Sequence, residues 1–157
     1  VNETIIRNPV ETAPELDMDL HIHTIPVNRV LQAWSLVESF LQEGLDKGQE
    51  TRVDYTIDQV KAYLAQGYWQ LIVACDTNGD VHGACAIEFI NRPNDRVAFI
   101  VTIGGKWIIS ESNAEQFYAI LRNCGATLIE LAARDSAARL FRMWGMRDKY
   151  TVMEKAL

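Results

Sequence analysis

"GATLIELAARDSAARLFRMWGMRDKYTVMEKAL", residues 125–157, is the stretch whose reading decides the fold. Gly125 stops a preceding helix, because glycine takes the left-handed backbone of a helix end at little cost. "ATLIELAA", 126–133, is then a continuous apolar run of strand length, as expected of a strand covered on both faces. In "RDSAARLFRMWGM", Asp135 or Ser136 supplies the N-cap. Ala137, Leu140, Phe141 and Trp144 make a stripe at helical spacing, and Gly145 ends it. "DKYTVMEKAL" reads as a closing strand.

Upstream, "TIGGKWIISESNAEQFYAIL", 102–121, holds the end of a strand, the pair Gly104–Gly105, and a helix. Ser112 with Glu115 makes a capping box for that helix, and Ala114, Phe117, Ile120, Leu121 and Cys124 form its buried stripe. Before it, "YWQLIVACD" and "VHGACAIEFI" flank Asn78-Gly79, a hairpin turn that tolerates positive φ. "NRPND" turns the chain again into "RVAFIVTI", so three strands run antiparallel in succession. Further back, "YTIDQVKAYLAQG" opens with the capping box Thr56/Gln59, buries Ile57, Val60 and Leu64, and stops at Gly67. A longer helix places Val30, Trp34, Val37, Leu41 and Leu45 on one face and ends near Gly44 or Gly48. "DLHIHTIPV" alternates as a first strand until Pro26 ends it. The order is β-α-α-β-β-β-α-β-α-β, an α/β (α+β) architecture with a mixed sheet covered by helices. Residues 1–17 lack periodicity and read as an N-terminal arm, followed by one domain over 18–157.

Composition narrows the function. Among 157 residues, 48% hydrophobic and 23% charged, the net charge of −6 supplies no broad basic face for nucleic acid or an anionic membrane. No apolar run approaches the roughly 18 residues of a membrane span. Cys75, Cys85 and Cys124 are odd in number and set in apolar segments, as buried thiols are. His21 and His23 alternate on the first strand with no Cys or His at ligand spacing, so no metal is expected. No Ser-His-Asp grouping, Walker loop or His-Glu-x-x-His is present.

The element order, and above all the strand, short helix, Gly145 and closing strand of 125–157, resembles the GCN5-related N-acetyltransferase (GNAT) superfamily. The resemblance covers roughly 18–157. The patterns "AW..V..FL", "YTIDQVKAYLAQGYWQLIVACD", "GG.W" and "YTVMEKAL" are similar to small GNAT-like proteins encoded among the structural genes of tailed bacteriophages. It implies a mostly antiparallel sheet and a loop after the fourth strand, Arg/Gln-x-x-Gly-x-Gly/Ala, whose bare backbone cradles the diphosphate of acetyl-CoA. Here Gly104, Gly105 and Lys106 stand at that place, but the glycines adjoin instead of alternating, and Trp107, Ile108 and Ile109 follow where backbone should be bare. The proton donor of active relatives is a Tyr four residues before the Gly of a Gly-aromatic pair. This chain has Phe141 there, and Met146 replaces the aromatic.

Carboxylates on central strands deprotonate the amine in such enzymes, which makes Glu88 and Glu130 the candidate bases. Alternation puts Glu88 with Ala86 on one strand face, where it could simply meet solvent. Glu130 is either paired with Arg134 or at the central cleft. Tyr150, on the closing strand, is the remaining candidate acid. Of the four tryptophans, Trp34 and Trp144 read as core, whereas Trp107 is as readily an exposed contact residue.

Two readings follow. The degraded loop and Phe141 favour a non-catalytic virion or assembly component that binds no cofactor, made in the host cytoplasm. Its partners would be other phage structural proteins or copies of itself, contacted through Ile5, Ile6 and Val10 of the arm and through Trp107. The alternative is an acetyl-CoA-dependent N-acyltransferase modifying an amine on a phage or host protein.

Overall fold

The computed structural model describes residues 19–48, 54–106 and 110–157. The arm, with Ile5, Ile6 and Val10, and the segment Trp107, Ile108 and Ile109 lie outside the described residues. The elements are β1 (His21–Ile25), a 3-10 turn (Val27–Arg29), α1 (Val30–Gly48), α2 (Ile57–Ala65), β2 (Gln70–Cys75), β3 (Val81–Asn91), β4 (Arg96–Gly105), α3 (Glu111–Asn123), β5 (Leu128–Glu130) and α4 (Asp135–Met143).

The sheet runs in the order β1-β2-β3-β4-β5. The first three pairings are antiparallel and β4–β5 is parallel. Each face carries helices, as the two kinds of apolar periodicity require. On one face, Val30, Trp34, Val37, Leu41 and Leu45 of α1 pack with Val60 and Leu64 of α2 against Leu71, Val73, Ala84 and Ala86. On the other, Phe117 and Leu121 of α3 and Phe141 of α4 cover Ile72, Cys85, Ile87, Ala98 and Ile100. Burying an aliphatic or aromatic side chain of this size stabilises by roughly 1.5–3 kcal/mol, so the five-residue stripe of α1 is a principal stabilising contact of the first face.

The second helix's capping box and the glycine stops behave as their chemistry predicts. Thr56 and Gln59 exchange the two bonds of a capping box. Gly67, Gly79, Gly125 and Gly145 all take positive φ, ending helices or turning the hairpin. His21 and His23 are exposed on β1, and no His, Cys, Asp or Glu group among the described residues could hold a metal. Also among the described residues, no helix is long and apolar enough to cross a membrane.

Several expectations are corrected. The closing strand over 148–157 is absent: the segment is irregular, with Tyr150, Val152 and Met153 exposed. A strand needs a partner edge, and β5 offers only three residues. "ATLIELAA" forms only the half-buried β5, at the edge of the described sheet, and not a fully covered strand. The cap of α3 is Ser110, which accepts from the Asn113 amide in extended backbone, and not Ser112 with Glu115. Arg134 holds the N-cap position of α4 without a side-chain bond, and Asp135 and Ser136 fall inside the helix. Cys85 is buried, but Cys75 and Cys124 are only half-buried. Trp34 and Trp69 are core, while Trp144 is half-buried with its ring nitrogen enclosed.

Candidate functional site

On one side β4 outruns its described partner strand. β4 is bonded to β3 along its whole length, from Arg96 opposite Asn91 to Gly105 opposite Gly83. With β5 it shares only three pairs, Val97–Leu128, Ala98–Ile129 and Phe99–Glu130. From Ile100 to Ile103, no described strand pairs with β4 on that side. The opening begins beside a bulge: Ala86 opposes Thr102 and Ile87 opposes Ile100, which leaves Val101 as the extra residue. The last β4–β5 pair, Phe99–Glu130, falls two residues before Val101, and an extra residue of this kind bends and twists its strand. An open strand edge of this kind offers backbone donors and acceptors to an extended ligand.

Two of the proposed carboxylates flank that opening. Glu88 on β3 registers with Phe99 on β4, and Phe99 with Glu130 on β5, so the three form one row across the sheet. At the usual strand spacing the outer two backbones stand roughly 10 Å apart. Glu88 shares its face with Ala84 and Ala86, the side covered by α1 and α2, and is half-buried there, not fully in solvent. Its neighbour is Tyr55, whose hydroxyl burial pushes above the ordinary tyrosine range, with the negative charge of Glu88 adding to the shift. Tyr55 in turn sets its ring edge-on to Trp69 at 5.2 Å between centroids.

Glu130 is engaged differently. Arg92 donates from Nη2 to Oε1 at 3.0 Å and from Nη1 to Oε2, and Lys149 Nζ also donates to Oε2. The Arg92 hydrogen bond, then that of Lys149, holds the carboxyl below its usual range against the opposing effect of burial. A carboxylate so held is a poor proton acceptor at neutral pH. Its partners are Arg92 and Lys149, not Arg134. Tyr150 is brought near this cluster by Lys149, whose ammonium lies 5.1 Å from the Tyr150 ring centre. The ring is nevertheless exposed on an irregular segment, not set on a strand. Arg92 was legible in the sequence only as part of a turn, and nothing in its neighbours signalled a contact 38 residues away.

The glycine pair has a different use from the one its place suggests. Both residues belong to β4. A Cβ on Gly104 would stand 1.9 Å from the Phe40 carbonyl oxygen, and one on Gly44 would stand 2.1 Å from Thr102 Oγ1. Bare Cα atoms on both elements therefore let α1 lie directly on β4, where Thr102 Oγ1 donates to the Leu41 carbonyl at 2.8 Å. Gly105 takes φ +95 with its Cα against the His82 carbonyl, 2.3 Å from where a Cβ would sit. Its amide donates to Glu43 Oε2 at 2.7 Å. Lys106 follows, exposed, at the bend after β4. The first turn of α3 carries the acidic Glu111 and is capped by its own Ser110. At Gly104–Gly105 the residues present do not fit a diphosphate: bare Cα atoms face protein backbone, and the strand-end amide already serves a carboxylate. The open edge of β4 does fit an extended chain bearing amides.

Phe141, at the position expected of a proton donor, is core, packed with Phe117 and Leu121. The neighbouring hydroxyl is that of Tyr118 on α3, which donates to the Trp144 carbonyl at 3.1 Å and is shifted upward chiefly by burial.

Comparison with solved structures gives the architecture its class. The chain shares its fold with an aminoglycoside acetyltransferase from an uncultured soil metagenomic sample, determined with sisomicin: TM-score 0.63 and 15% identity over 91% of this chain and 99% of that one. A predicted acetyltransferase from Clostridium acetobutylicum, determined with acetyl-CoA, matches with TM-score 0.61 and 16% identity over 88% of this chain and 96% of that one. A GCN5-related N-acetyltransferase from Ralstonia eutropha matches with TM-score 0.60 and 15% identity over 88% and 99%. No family model matches the sequence, and no curated protein sequence matches it. The fold is that of the GNAT acetyltransferases.

Proposed function

We propose that the protein is an N-acyltransferase whose acyl donor lies as an extended arm along the open edge of β4 and whose base is Glu88. The observation that carries this reading is the edge of β4 from Ile100 to Ile103 that no described strand pairs, on the strand next to Glu88. A pantetheine thioester such as that of acetyl-CoA would supply the activated acyl group. Ile100 to Ile103 would bind its amides by strand addition. Glu88 would take a proton from the attacking amine, directly or through water. Glu130, locked by Arg92 and Lys149, orders the far wall and does not move protons. The acceptor is a primary amine. Aminoglycosides, named for the soil-sample enzyme, are a first choice for assay, and lysine side chains a second.

Acetyl transfer to a panel of amines from acetyl-CoA, and from acetyl-pantetheine, which lacks the diphosphate, tests the proposal, with Glu88→Gln as the decisive variant. Loss of about 10²–10⁴-fold in kcat is expected for a missing general base, with melting temperature unchanged. A wild-type chain that transfers no acyl group to any amine would favour a second reading, which the occupied Gly105 amide and the absent donor at Phe141 both support. In that reading the fold is a non-catalytic scaffold in a phage particle or its assembly, acting through contacts with copies of itself or other structural proteins.

A further inference from the structure

We infer that Glu43 sets the ligand selectivity of the β4 end: its carboxylate occupies the anion position at the Gly105 amide, so a diphosphate-bearing ligand binds more weakly than it would with that carboxylate removed or displaced. This rests on the acyltransferase reading for the kind of anion that would otherwise arrive. Three features hold Glu43 in place. Its Oε2 accepts the Gly105 amide at 2.7 Å, a charge-assisted bond. Lys47, one turn on, lies 3.4 Å from Oε1. The register of α1 is set by Gly44, whose Cα lies against Thr102 and Ile103.

Gly104 completes the arrangement, since a Cβ there would come within 2.9 Å of Glu43 Oε2. Only glycine at 104 lets the carboxylate reach the next amide. A strand-end amide beside a glycine turn is a natural anion contact, and here the chain provides the anion itself. A phosphate oxygen directed at the same N–H would meet Glu43 at close range, and the like charges repel. The Glu43 side chain is 43% exposed, so its removal or displacement is sterically feasible.

The test is calorimetric titration of the full chain with CoA, comparing wild type, Glu43→Gln and Asp46→Asn. Asp46 lies on the same helix, and its carboxylate accepts from the Gln42 side chain instead of a strand amide. Its replacement removes an equal charge without touching Gly105. Glu43→Gln is expected to bind CoA at least about tenfold more tightly than wild type, and Asp46→Asn to bind as wild type does. Binding by Glu43→Gln alone supports the inference equally. Equal binding by wild type and Glu43→Gln overturns it and leaves the acyltransferase reading intact. An equal gain from Asp46→Asn overturns it in favour of bulk charge. No binding by any variant overturns it too, and the Glu88 assay then decides the activity separately. Glu43→Ala repeats the comparison if the glutamine variant melts early.

Discussion

Gly104→Ala separates the packing role of the glycine pair from a ligand role. Gly104 has no positive φ, so its replacement costs nothing in backbone strain, and the whole effect is crowding. The new Cβ would begin 1.9 Å from the Phe40 carbonyl oxygen and 2.7 Å from its carbon. Restoring ordinary contact requires α1 to retreat from β4 by more than about 1 Å. Overpacking of this kind costs roughly 1–3 kcal/mol. The retreat also stretches the buried bond from Thr102 Oγ1 to the Leu41 carbonyl, now 2.8 Å, and an unsatisfied buried group adds roughly 1–3 kcal/mol. The expected loss is therefore about 4 kcal/mol. With a urea slope of about 2 kcal/mol per molar, the unfolding midpoint falls by about 2 M. Gly79→Ala is the control: nothing lies within 4 Å of its Cβ position, but φ is +87, so it isolates the conformational share at about 1 kcal/mol. A Gly104→Ala midpoint within about 0.3 M of wild type would refute the packing argument.

Further outcomes are expected at Glu130 and Phe141. Because the folded pKa of Glu130 is depressed, by the Arg92 hydrogen bond first and then Lys149, its contribution is fully present above the unfolded carboxyl pKa and is lost as pH falls through the lower folded value. Glu130→Gln should remove about 1 kcal/mol at neutral pH, both cations being exposed enough for solvent to screen them. It should also flatten stability against pH between about 5 and 3, measured by urea midpoints across that range, and an unchanged slope would show that the pair contributes nothing. Phe141→Ala should cost about 3–5 kcal/mol through lost burial and a cavity. Phe141→Tyr should lower the melting temperature with no gain in acetyl transfer, since its hydroxyl would enter the apolar cluster of Phe117 and Leu121.

What the sequence determined by itself is local. The α1 stripe, the Thr56/Gln59 box, the Asn78-Gly79 hairpin and the glycine stops at 67, 125 and 145 each depend on residues within a turn or two of one another, so spacing alone reveals them. The element order as far as the last helix and the face shared by Ala86 and Glu88 follow from the same periodicities. What only the tertiary structure decided is pairing through space. The carboxylate on the Gly105 amide comes from 62 residues away, and the cation on Glu130 from 38. Neither Glu43, on the polar side of an amphipathic helix, nor Arg92, in a turn, differs in sequence from an ordinary solvated charge. The closing segment carries a strand's alternation yet forms none, because alternation describes one chain's faces, whereas a strand also needs a neighbouring edge. Whether a glycine pair after a strand admits a phosphate or a helix depends on what lies over its bare Cα atoms, and here α1 lies there.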